Sequence, residues 1–176
     1  MDGNLAMANL FDLPENWPGP LGEIGIGANA IFSDDKAYRF VLWRIWDVKK
    51  PPAMLIGLNP STANEKTDDP TIRRIRGLMQ AHGYGGFFMT NLYPFVTAYP
   101  QELQIGRGQL VENDVILCKV RYYCETVVFC WGNFKTYGRD REVTDIFPCA
   151  MCFGKNANGS PKHPLYLPKN TTLVPF

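Results

Sequence analysis

Ala53-Met54-Leu55-Ile56-Gly57-Leu58-Asn59-Pro60-Ser61-Thr62 is the stretch that decides how this chain folds. Six apolar or small residues in a row are too few for a buried helix and suit a strand covered on both faces. Asn59-Pro60 then turns the chain out of the sheet, and a helix follows. Asp69 is a good N-cap and Pro70 a good first helical residue. Ile72, Ile75, Met79 and His82 recur at helical spacing, and Gly83 can end the helix.

The same alternation repeats downstream. Residues 87–92 (Phe-Phe-Met-Thr-Asn-Leu) read as a second buried strand, 126–132 as a third and 149–153 as a fourth. Between them, 109–124 reads as a helix burying Leu110, Val111, Val115, Cys118 and Tyr122, and 134–147 as a shorter one weakened by Gly138. Upstream, 28–33 and 38–46 read as an antiparallel pair around Ser33-Asp34-Asp35-Lys36. Residues 1–22, rich in Pro, Gly and Asn, form an expected irregular arm before one domain over 23–176. Residues 154–176 are expected to be a Pro-rich closing loop. The expectation is a three-layer α/β/α domain with a central four-stranded parallel sheet plus the N-terminal antiparallel pair.

Composition narrows the function classes. With 45% hydrophobic and 20% charged residues the chain is ordinary globular protein, and its formal net charge of +1 supplies no global attraction to polyanions. A nucleic-acid surface would have to be a local basic patch. No apolar run reaches the roughly 18–20 residues a membrane span needs, and the polar start lacks a signal-peptide pattern. The five cysteines are an odd number in a chain long enough to build a core, which points to reduced thiols and a cytoplasmic protein. A monomer is expected. Pro148-Cys149-Ala150-Met151-Cys152 echoes zinc deaminases, but no His or Cys is followed two positions later by Glu, so that reading fails. No metal or cofactor is expected.

Ligands in parallel sheets bind beyond the C-terminal strand ends. Polar residues gather there: Asn59, Ser61 and Thr62 after the first strand, Asn91 and Tyr93 after the second, Gly132 and Asn133 after the third, and 155–163 after the fourth. Taken singly, Gly57-Leu58-Asn59-Pro60-Ser61 is either a tight turn or a site, Asn91 either a cap or a ligand, and His163 either a surface residue or a catalyst.

In order, "LIGLNPS", "FFMTNLYPF", "VVFCWGN" and "PKHPLYLP" resemble four blocks of the uracil-DNA glycosylase superfamily. The wider pattern "LNPSTA…DDPTIRR…TNLYPF…PKHPLYL" resembles more closely a bacterial and phage family, domain of unknown function 1643. The resemblance spans about residues 38–168. It implies excision of a modified or damaged base from DNA or a nucleotide by N-glycosidic hydrolysis. Asn59 would position water, Asn91 would read the base edge beside Gly57, Leu58, Pro60 and Ser61, and His163 would stabilise the departing base. Phe87, Phe88, Tyr93 and Trp131 are then either stacking faces or core. Leu165 is then either a wedge for the gap of a flipped base or a buried anchor. Thr62, Arg73, Lys155 and Lys162, with Arg74, Arg76 and Lys169, are either a phosphate grip or, for the helix arginines, surface ion pairs and a solvated face. Where the fastest glycosylases have Asp, this chain has Asn59, so Asp68 or Asp69 would have to supply a carboxylate, and the serine that commonly follows His-Pro is absent. The alternative is a non-catalytic module that binds a nucleotide or modified DNA on the same fold.

Overall fold

The computed structural model describes residues 25–103 and 107–176, so the expected arm lies outside the described residues. The fold is mixed α/β. Seven strands form one sheet: β1 (Gly27–Phe32), β2 (Arg39–Ile45), β3 (Pro52–Gly57), β4 (Gly86–Asn91), β5 (Thr126–Phe129), β6 (Met151–Cys152) and β7 (Val174–Pro175). Their order is β1-β2-β4-β3-β5-β6-β7. The middle of the sheet is parallel: β3 pairs with both β4 and β5, and β5 pairs with β6. The flanks are antiparallel, β2 on β4 and β7 on β6.

Alternation along β3 explains the layers. Ala53 and Leu55 face one way and pack with Ile72, Ile75, Leu78 and Met79 of α1 (Pro70–Ala81). Met54 and Ile56 face the other way, toward Ile116, Leu117 and Val120 of α2 (Arg107–Tyr123) and Val143 of α3 (Arg139–Ile146). Both faces are therefore covered by helix.

Several boundaries differ from expectation, each for a local reason. The antiparallel pair is no appendage: all seven residues of β2 are buried because β4 pairs along its inner edge. Helix α3 starts only at Arg139, since Tyr137 and Gly138 take positive φ of 51° and 89°. The fourth strand shortens to two residues, and the expected closing loop contributes β7. Helix α2 buries a different stripe. Val111 and Tyr122 are 58% and 82% exposed, Cys118 is exposed too, and Ile116, Leu117, Val120 and Tyr123 face the core. Asn113, a polar residue on that winning stripe, masked the pattern. It is fully buried and its Nδ2 donates to the Asn91 carbonyl at 3.0 Å.

Among the described residues no helix is long and apolar enough to cross a membrane. All five cysteines are free thiols. Burial pushes the Cys130 thiol up to about 12, which keeps it protonated and unreactive.

Where β2 and β4 begin to pair, Gly85 is squeezed against the backbone of Asp47 and Lys50. A Cβ there would sit 1.9 Å from the Asp47 carbonyl oxygen and 2.6 Å from that of Lys50. Gly85→Ala is expected to destabilise the fold by about 1–3 kcal/mol, read as a lower urea midpoint.

Candidate active site

The connections leaving β3 and β4 diverge. The β3 exit leads to α1 on one face and the β4 exit to α2 on the other, which opens a crevice at their C-terminal ends. Gly57 and Asn91 are register partners at that point. The two exits stay tied beyond the sheet. Leu92 N–H donates to the Gly57 carbonyl, Tyr93 N–H to that of Leu58 and Thr97 N–H to that of Pro60.

A cavity of about 170 Å³ fills the crevice. Gly57, Leu58, Asn59 and Ser61 form one wall, Asp69, Thr71 and Ile72 of the α1 start another, and Phe134 and His163 a third. Arg39, Met89 and Thr97 also line it. The cavity brings Asn59 and His163 together with Asp69, whereas Asn91, the other strand-end residue, is not on its lining.

Asn59 has a fixed orientation. Its Nδ2 donates to the carbonyls of Pro60 at 2.9 Å and Thr97 at 2.8 Å. Both amide hydrogens are spent, so Oδ1 remains as the acceptor available to water. A carboxylate here would oppose two carbonyl oxygens, so asparagine is what this backbone requires.

The protonation state of His163 follows from its own cap. Its Nδ1 accepts from Leu165 N–H at 3.3 Å, opening the short 3₁₀ turn Pro164–Tyr166. A ring that accepts at Nδ1 is neutral and carries its proton on Nε2. Burial pushes its pKa below the usual value, against a smaller upward pull from Asp69. The ring stands edge-on to Phe134 with centroids 6.4 Å apart. Gly132 makes room: at φ +76°, a Cβ would lie 3.0 Å from the His163 Cβ and 3.4 Å from the Phe134 ring.

Asp69 does two things at once. Its Oδ1 accepts from Ile72 N–H at 2.8 Å, capping α1, while the residue lines the cavity. Asp68 is turned away. It pairs with the buried Arg44 (Nε to Oδ1, 2.8 Å), whose Nη2 also donates to the Asn64 carbonyl at 2.7 Å. Asp68 is thus an anchor of the β3–α1 loop.

Asn91 is 1% exposed, and both of its side-chain polar atoms lack partners. An unsatisfied buried group costs about 1–3 kcal/mol, so two on one amide demand a reason. Its Oδ1 would be 3.0 Å from a Gly57 Cβ, which places the amide just behind the Gly57–Met89 wall of the cavity.

The expected stacking aromatics fall elsewhere. Phe87 packs against Trp46, and Phe88 lies between Trp43 and Tyr123. Trp131 packs on Phe129 and Phe176. Tyr93 is buried and donates from its hydroxyl to the Thr136 carbonyl at 2.7 Å, its pKa pushed by burial up to about 12. All four are core. The aromatic face at the cavity is Phe134, whose place beside Gly132-Asn133 in a loop gave no periodic signal. Arg39 was hidden for the opposite reason, inside a strand.

Of the phosphate candidates, Thr62, Arg73, Lys155 and Lys162 are exposed. Lys155 Nζ lies 4.8 Å from the Phe176 ring centre, and the Lys162 stem rests on Gly154. Arg73, Arg74 and Lys169 line a groove with Leu165 and Pro70 along α1, whose volume is about 350 Å³. Pro60 is buried beneath the turn.

A family model matches residues 39–165. The chain belongs to this family, described as protein of unknown function (DUF1643). The matched span holds every residue of the cavity wall, from Arg39 to His163. No curated protein and no solved structure matches the chain.

Because folding disfavours the protonated His163 ring, the unfolded chain binds more protons between the two pKa values. Its contribution is fully present above pH 6.5 and is lost as pH falls through the lower folded value. His163→Asn keeps a cap acceptor but cannot titrate. Denaturation midpoints of the variant are expected to fall less steeply than those of the natural protein below that pH.

Proposed function

We propose that this protein is a base-excising N-glycosylase acting on a modified or damaged base. The observation that carries the reading is one small cavity lined by Asn59, Asp69 and a neutral His163, with the unpaired Asn91 amide behind its wall. The kinship of its motifs with the uracil-DNA glycosylase superfamily is part of the same proposal.

N-glycosidic hydrolysis needs a placed water, stabilisation of a cationic sugar and a donor for the departing base. Asn59 Oδ1, oriented by its two donated hydrogen bonds, accepts from the attacking water. Asp69 supplies the negative charge that steadies the oxocarbenium-like carbon and draws the proton from that water. His163 Nε2–H donates to the base as the bond breaks. Preorganised donors of this kind are usually the largest catalytic contribution. Phe134 offers a stacking face, and the Asn91 amide, with both a donor and an acceptor idle, reads the base edge once the Met89 side chain moves aside. The Arg73–Arg74–Lys169 groove with Leu165 lies along α1, where a polynucleotide backbone would run, and this favours DNA over a free nucleotide.

A second reading is a module that binds the base without cutting it. The amide at Asn59, in the place of an acid, favours that one.

Oligonucleotides carrying uracil, deaminated, hydroxymethylated and glycosylated bases separate the two. Alkali-labile breaks are expected with at least one of them, and Asn59→Ala is expected to slow their formation about 10²–10³-fold. Saturable binding with no base released across the set would leave the binding module standing and the enzyme refuted.

A further inference from the structure

Arg39 is the one strongly basic side chain of the cavity, and it is almost sealed, at 2% exposure. Its Nη1 donates to the Ala63 carbonyl at 2.6 Å. Its Nε is buried with no acceptor, and it forms no ion pair among the described residues. Burial pulls its pKa down to about 10, opposed by the through-space charge of Asp69, so the group is still cationic at neutral pH. A buried guanidinium with an idle donor is costly unless something completes it. Arginine has no acceptor atom, so its partner has to be an acceptor, and an anionic oxygen serves best.

The cavity therefore holds opposite charges on separate residues, Arg39 and Asp69, with no bond between them. Breaking an N-glycosidic bond separates charge in the same sense. The bonding electron pair leaves with the base and spreads onto its ring nitrogen and exocyclic oxygen. The sugar carbon becomes cationic and bonds to the oxygen of water. That water loses a proton, and the base takes one up on release.

We infer that Arg39 is a further charge-stabilising residue of the site, holding an exocyclic oxygen of the base, so that the substrates are oxo-substituted bases able to leave as anions. This assignment rests on the base-binding reading of the cavity. It adds a residue that none of the strand-end motifs contains.

Two six-membered rings test it by calorimetry: barbiturate, an anion at neutral pH, and uracil, which is neutral. The natural protein is expected to bind barbiturate about tenfold or more tightly than uracil, since hydrogen bonds to charged groups exceed neutral ones by that margin. Arg39→Met, checked for folding by circular dichroism, is expected to erase the preference. Asp69→Asn, which keeps the helix cap, is expected to strengthen barbiturate binding by removing a repelling charge. If Arg39→Met does not fold, the natural protein and Asp69→Asn still decide the matter. Equal affinities for the two rings, no barbiturate binding, or a preference that survives in Arg39→Met would overturn the assignment. Base release without the preference would overturn Arg39 and leave excision intact. A preference without base release would support Arg39 and refute excision.

Discussion

Two arginines on one strand hold the site together from beneath. Arg39 and Arg44 of β2 point their guanidinium groups at the loop between β3 and α1, donating to Ala63 and Asn64 carbonyls and pairing with Asp68. A loop of this length would otherwise leave buried carbonyls without donors. Arg44 is buried on its side of the pair, so removing Asp68 would leave that guanidinium short of its acceptor. The elements on either side of the anchored loop are the Asn59 turn before it and the Asp69 cap and start of α1 after it. β2 can do this only because it lies inside the sheet, between β1 and β4.

The parallel centre was legible because fully buried strands cannot alternate, and 53–58, 87–89 and 127–131 are continuous apolar runs. Helix α1 was equally plain, with a cap, a proline and a regular stripe. Helix α2 was misphased because it carries two comparable stripes, and the buried one includes Asn113, whose value lies in a bond to the Asn91 carbonyl. β7 was invisible because two residues hold no periodicity. Of the site, Asn59 and His163 were legible from their places after strand ends, and Asp69 as the cap of the helix that follows. Phe134 was not, since its position depends on the left-handed Gly132. Nor was Arg39, because an arginine inside a strand reads as a half-exposed residue, and only tertiary pairing buries it. Phe88, Tyr93 and Trp131 erred the other way: large aromatics near strand ends fill the core more readily than they line a cavity.

The electrostatic design is economical in a chain of formal net charge +1. A neutral imidazole, a pinned amide, a carboxylate and a buried guanidinium share one small cavity. Desolvation sharpens each of them, since charges and dipoles act more strongly where water is scarce. It also fixes their roles. Neither Arg39 nor Asn59 Nδ2 can accept, and His163 Nδ1 is occupied by its backbone donor. The donors and acceptors presented to a ligand are therefore set before it arrives.

The cross-links between the β3 and β4 exits have a further consequence. Asn59 donates to the Thr97 carbonyl while Thr97 N–H donates to that of Pro60, so the two segments are laced into a single lip. Neither can swing outward alone without stranding polar backbone. The wall that carries half-exposed Phe134 and His163 takes no part in that lacing.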